Sequence, residues 1–174
     1  MARATGDEAI ATLQEGWGRV ESLLSSLSDE QATAPATIGG GDWSAKDLLG
    51  HLATWEAFAL DAVSEWRQGR KPYIAGLLDG GIVGIDHVNA LTVADKASLT
   101  WDEVRAGAEG THAALVRLIG EMSDDEWNAK ALYPAERRDH LGSLVGSVLG
   151  APKRPFGHAF AHIPDLQTYV SSLA

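Results

Sequence analysis

Apolar residues recur along most of the chain with the 3.6-residue step of amphipathic helices, and no stretch shows the strict alternation of a half-buried strand. Ile10, Leu13, Trp17, Val20, Leu24 and Leu27 share one face, which predicts a helix from about Asp7 to Leu27. Ser28-Asp29-Glu30-Gln31 reads as a capping box opening a short helix, and Ala34-Pro35 to Gly39-Gly40-Gly41 reads as a loop. A second long helix starts at the N-cap Ser44, with Asp47 placed to reach back to the free N–H groups of the first turn. Leu48, His51, Leu52, Trp55, Phe58, Ala62 and Trp66 form its stripe, and Gly69 and Pro72 end it after about Gln68.

Pro72, Gly76, Gly80, Gly81 and Gly84 punctuate 70–85, which reads as a long loop suited to a lid or a dimer contact, followed by a short helix over Ile85–Ala94. Thr100-Trp101-Asp102-Glu103 caps a third long helix that runs to about Met122, with Val104, Ala108, Leu115, Leu118 and Ile119 inward. Ser123-Asp124-Asp125-Glu126 repeats the capping motif. A loop is expected over Asn128–Asp139, then a helical piece over His140–Leu149 capped by Asp139. A last helix is expected from about Phe156 to Leu173, kinked or shifted by Pro164. Four long amphipathic segments with long connections and short extra helices predict an all-α fold, a four-helix bundle formed by a single domain over 1–174.

Composition narrows the function classes. A formal charge of -10 opposes a nucleic-acid surface and gives no reason to expect an anionic membrane as partner. The absence of cysteine removes disulfides, thiolate-held zinc, iron–sulfur clusters and a cysteine nucleophile. Met1–Asp7 lacks the basic and apolar regions of a signal peptide, so a cytoplasmic location is the expectation.

The candidate chemistry lies in the histidines. His51 sits on the inward face of the second helix, where its two ring nitrogens need a hydrogen-bond partner, a metal or a catalytic role. His158 and His162 stand at i and i+4 on the last helix, close enough to bind one ion. Together the three would make a facial imidazole set with positions left open, compatible with Zn, Ni, Fe or Cu. The competing reading makes His51 a hydrogen-bonded core residue and the pair half-exposed. His87, His112 and His140 have no partner at ligand spacing and are read as surface or capping residues. Glu56 falls off the His51 line and is read as solvated, as is Asp165. Asp47 is assigned to the cap, with an outer contact to the imidazole as its alternative. Trp43 and Trp55 are read as core, and Lys153-Arg154 as a solvated turn that could also draw an anionic substrate.

The block Trp43-Ser44-Ala45-Lys46-Asp47-Leu48-Leu49-Gly50-His51-Leu52-Ala53-Thr54-Trp55-Glu56 resembles the second-helix signature of the DinB-like (YfiT-like) superfamily, which includes mycothiol-dependent maleylpyruvate isomerases. The His158/His162 pair resembles its second metal motif. Asp86-His87-Val88-Asn89-Ala90 and Thr100-Trp101-Asp102-Glu103-Val104 are similar to the ClbS/DfsB branch. Pro164, two residues beyond His162, departs from the pattern. The resemblance implies a four-helix bundle with a divalent metal (Zn, Ni or Fe) on His51, His158 and His162, acting on a small molecule as a hydrolase or as a thiol-dependent transferase or isomerase. Without cysteine, the thiol would come from a low-molecular-weight thiol such as mycothiol or bacillithiol. A ClbS-like protective protein that works without metal through core polar groups such as Asn89, and a non-catalytic dimeric binding module, are the alternatives. A homodimer is compatible with either. The superfamily varies in chemistry, so fold and metal site carry over better than reaction.

Overall fold

The computed structural model describes residues 4–39, 41–135, 137–151 and 154–173. The described residues form helices and no strands. The order is α1 (Gly6–Leu24), α2 (Asp29–Thr33), α3 (Ala45–Arg67), α4 (Tyr73–Gly80), α5 (Ile82–Ala94), α6 (Trp101–Gly120), α7 (Asp124–Trp127), α8 (Leu141–Val148) and α9 (His158–Ser172). The four long helices close a ring: α1 packs on α6, α6 on α3, α3 on α9 and α9 back on α1. The short helices α5 and α8 flank α3, and α4 reaches both of them.

Capping chemistry sets most helix starts. At α3, Ser44 Oγ accepts from the Asp47 N–H at 3.2 Å, while Asp47 Oδ2 accepts from the Ser44 N–H at 2.9 Å and its hydroxyl at 2.7 Å. Both carboxylate bonds bind Asp47 to the cap rather than to His51. Thr100 and Glu103 make the same reciprocal pair at α6, and Ser28 and Gln31 make it at α2. Ser123 accepts from the Glu126 N–H at α7. Each such cap contributes about 0.5–2 kcal/mol.

Four boundaries differ from expectation. Helix α1 starts one residue earlier, because Thr5 and Glu8 form a capping box ahead of Asp7, and it ends at Leu24. The segment 70–85 is mostly helical: α4 and α5 fill it, joined at Gly81, whose φ of +83° only glycine adopts without strain. Glycine punctuation hid these helices because Gly76, Gly80 and Gly84 sit inside them, Gly76 and Gly80 with open space where a Cβ would stand. The cap of α8 is His140 rather than Asp139: its carbonyl accepts from the Ser143 hydroxyl at 2.8 Å. Helix α9 begins at His158, and Pro164 lies inside it without ending it.

The apolar interior is in two clusters. One gathers Trp55, Val63, Trp66, Leu115, Trp127, Leu144 and Phe156, and the other Val20, Leu24, Leu48, Leu49, Trp101, Val104 and Leu166. Each fully buried side chain of this size contributes roughly 1.5–3 kcal/mol. Along α3 the change from one cluster to the other falls between Ala53 and Trp55, one turn from His51. Helix α9 is drawn close to α1 at Gly16, where an added Cβ would stand 3.1 Å from Ala159 Cβ and 3.0 Å from Phe160 Cε2. Its start is held by α8: the His158 N–H donates to Leu149 O at 2.9 Å. The preceding Phe156 is buried with φ +58°, a left-handed conformation that a bulky residue keeps only under tight packing.

Candidate metal centre

The face of α3 and the first turns of α9 bring together the three predicted histidines. His51 Nε2 lies 3.1 Å from His158 Nε2, and His162 Nε2 lies 3.2 Å from the same atom. One nitrogen from each ring falls within 4.8 Å of both others. The rings stand nearly perpendicular in every pair, at 72°, 78° and 72°, with centroids 4.8, 5.1 and 5.0 Å apart. They form a propeller whose Nε2 edges converge.

That spacing has a simple chemical test. Zinc–imidazole bonds of 2.0–2.1 Å put two ligand nitrogens about 2.8–3.0 Å apart at a right angle and about 3.3–3.4 Å apart at the tetrahedral angle. The observed 3.1 and 3.2 Å fall between the two. Without a shared cation the arrangement is awkward. Each neutral imidazole has one N–H and one lone pair, so lone pairs confront one another wherever a proton is not between them. A proton is a poor substitute here. Burial pushes the His51 pKa down to about 3, with the neighbouring His162 and Lys96 adding to it. Burial first, then His51 and His162, hold His158 well below its ordinary value. Burial also lowers His162, against a partial opposing pull from Asp165. Neutral imidazole is the ligand form.

The surroundings are apolar and aromatic. Trp43 packs over His51 at 4.8 Å, and Trp55 presents an edge to His158 at 5.7 Å. Both tryptophans expected in the core therefore wall the centre as well. The Trp55 Nε1–H donates to Asn89 Oδ1 at 3.0 Å, which ties α5 to this wall. His51 Nδ1 is buried and has no acceptor among the described residues. Lys96, beyond α5, donates to Thr54 Oγ1 at 2.6 Å and to Thr92 O at 3.3 Å, and its own pKa is lowered by burial. No spacing rule could have found Lys96, because it comes near His51 through the packing of α5 on α3.

Two expectations are overturned together. Glu56 and His112 are both buried, and His112 Nδ1 lies 2.9 Å from Glu56 Oε1. His112 stacks on Trp17 with centroids 4.5 Å apart and planes 10° from parallel. The offset of Glu56 from the His51 line predicts a solvated carboxylate, but α3 is enclosed on more than one face: α6 buries the side that Glu56 occupies. His140 is buried too, while His87 and Asp165 are exposed as expected. Arg154 stacks its guanidinium 3.4 Å from the Phe160 ring centre and lies 3.4 Å from Glu15 Oε2. Lys153 lies outside the described residues.

The sequence profile of the DinB superfamily matches residues 12–165. The chain belongs to the DinB superfamily. Among solved structures, this DinB-superfamily chain is similar to an uncharacterised protein of Escherichia coli, with a TM-score of 0.75 and 16% identity over 97% of this chain and 94% of that one. It is also similar to the colibactin self-resistance protein ClbS, solved in complex with a dsDNA, with a TM-score of 0.69 and 16% identity over 96% of this chain and 98% of that one. No curated protein sequence matches it. No described helix is long and apolar enough to cross a membrane.

Proposed function

We propose that this DinB-superfamily protein is a metal-dependent enzyme acting on a small molecule, with His51, His158 and His162 as the ligands of one divalent ion (Zn, Ni or Fe). The observation that carries this reading is the convergence of three Nε2 atoms, one on the buried His51 and two on the half-buried His158 and His162, at 3.1 and 3.2 Å, with no carboxylate among them. Such an ion supplies Lewis acidity, which makes a water or a small-molecule thiol nucleophilic near neutral pH. The chain's own part is to hold the imidazoles neutral by burial and to keep bulk water out with Trp43 and Trp55. Hydrolysis and transfer from a low-molecular-weight thiol to an electrophile both use such a centre. The reading also keeps the chain in the cytoplasm and is compatible with a homodimer.

The test is metal analysis of protein purified without a histidine tag. Near one equivalent of metal is expected, lost in His51→Ala and in His162→Ala. Both variants keeping their metal would overturn it. The shape match to ClbS favours a second reading: a metal-independent protein that protects against a reactive small molecule by binding or hydrolysing it. Asn89, already engaged by Trp55, is its polar candidate. Metal-free protein that retains small-molecule activity would select it, and a metal-free protein with no small-molecule stabilisation in a thermal-shift screen would leave a non-catalytic module.

A further inference from the structure

Glu56, the carboxylate of the pair with His112, and His158 of the candidate metal centre line one cavity. It is small, about 20 Å³, and is lined by Glu56 and His158 with an otherwise apolar wall that includes Trp17, Leu52 and Phe156. That volume has room for one water, which needs polar partners at two ends. One end is Glu56, whose Oε1 is engaged by His112 while Oε2 is buried without a partner among the described residues. The other end is His158. Its Nε2 is committed to His51 and His162, so the ring atom left to bond into the cavity is Nδ1.

We propose that Glu56 is the outer hydrogen-bond partner of His158: held by His112, it accepts the His158 Nδ1–H through one water in the shared cavity and so leaves Nε2 bare towards the metal position. Carboxylates commonly orient metal-bound histidines in this way, setting tautomer and ring angle. Glu56 is then a positioning residue. His112, stacked on Trp17, holds Glu56 through Oε1, which leaves Oε2 as the oxygen available to the water. A pair kept only for packing would need no histidine of the candidate metal centre on the same cavity.

The inference rests on the three-histidine reading, and the experiment separates the two. Imidazole-nitrogen NMR of the metal-free protein reports where the His158 proton resides. The expected result is protonation at Nδ1 in the parent and a gain of the Nε2–H form in Glu56→Leu. A parent His158 protonated at Nε2 would overturn the proposal. Zn²⁺ affinity, from competition with a chelator, is expected to fall about 10–100-fold in Glu56→Gln, the usual loss when an outer partner is removed. Unchanged affinity in a folded Glu56→Gln protein would likewise overturn it. If the parent binds no Zn²⁺, the metal reading fails on its own and the metal-free tautomer still decides the role of Glu56. If neither variant folds, the parent spectrum decides it alone.

Discussion

Two histidine clusters sit little more than a turn apart on α3, and they are built on opposite principles. At His51, three imidazoles face one another across 3.1 and 3.2 Å with no acid in contact. At Glu56, one imidazole meets one carboxylate at 2.9 Å under a tryptophan. The second cluster completes its own hydrogen bond from within the protein. The first has no acid to accept its N–H groups, and its converging nitrogens have the spacing that suits one shared cation, the reading proposed above. Burial alone does not distinguish a ligand set from a structural pair; what the buried nitrogen faces does.

Breaking the first cluster has the largest expected effect. His158→Ala removes the nitrogen common to both short contacts, and Zn²⁺ affinity is expected to fall by more than the roughly 10–100-fold that losing an outer partner costs. Isothermal titration measures it, and the fold should survive, since the substitution removes only a half-buried polar ring. Breaking the second cluster acts on stability instead. His112→Ala leaves a buried carboxylate without its donor, a loss of roughly 1–3 kcal/mol or more for a charged group. For a chain of this size that lowers Tm by about 2–4 °C per kcal/mol. Replacing Glu56 and His112 together by apolar residues is expected to cost less than the sum of the single changes, a coupling that a double-mutant cycle reads directly.

Acid sharpens the same contrast in the metal-free protein. The folded-state pKa values of His51, His158 and His162 are all lowered, His51 to about 3. The unfolded chain therefore binds protons that the folded chain refuses. Their contribution is present in full above the unfolded value near 6.5 and is lost as pH falls below it. For His51 alone the loss at pH 5 is roughly 2 kcal/mol. Denaturant unfolding at pH 7.5 and pH 5 checks it; equal stabilities would show that the triad is hydrated rather than buried. The smallest effect belongs to the cap that aims His51. Ser44→Ala is expected to cost about 1 kcal/mol of stability, with little change in Zn²⁺ affinity, because α6, α8 and α9 also hold α3 in place.

The bundle was legible because its signals are local. Ser28, Ser44, Thr100 and Ser123 each announce a helix within four residues, and the 3.6-residue stripes follow them. The region 70–85 was not legible. Pro72 and the glycines at 76, 80, 81 and 84 masked α4 and the first turn of α5, whose remainder the sequence does predict over Ile85–Ala94. His158 and His162 were readable as a pair because i and i+4 share a helix face. His51 joined them through a resemblance and an inward direction, and no periodicity could state that α3 and α9 cross at those turns.

Glu56 shows the other side of the same limit. Its place on α3 follows from the chain alone, and its solvent exposure was the natural inference from one stripe. Enclosure on several faces, by α6, α8 and α9 together, turned that polar edge inward and supplied His112 from a helix 56 positions away. The sequence by itself determined where helices start, which way His51 points along α3 and that His158 and His162 stand together. Only the tertiary structure decided that three nitrogens meet and that a carboxylate is buried beside them. Hydrogen bonds of caps and turns close within four residues, whereas the meeting of side chains depends on how whole helices pack.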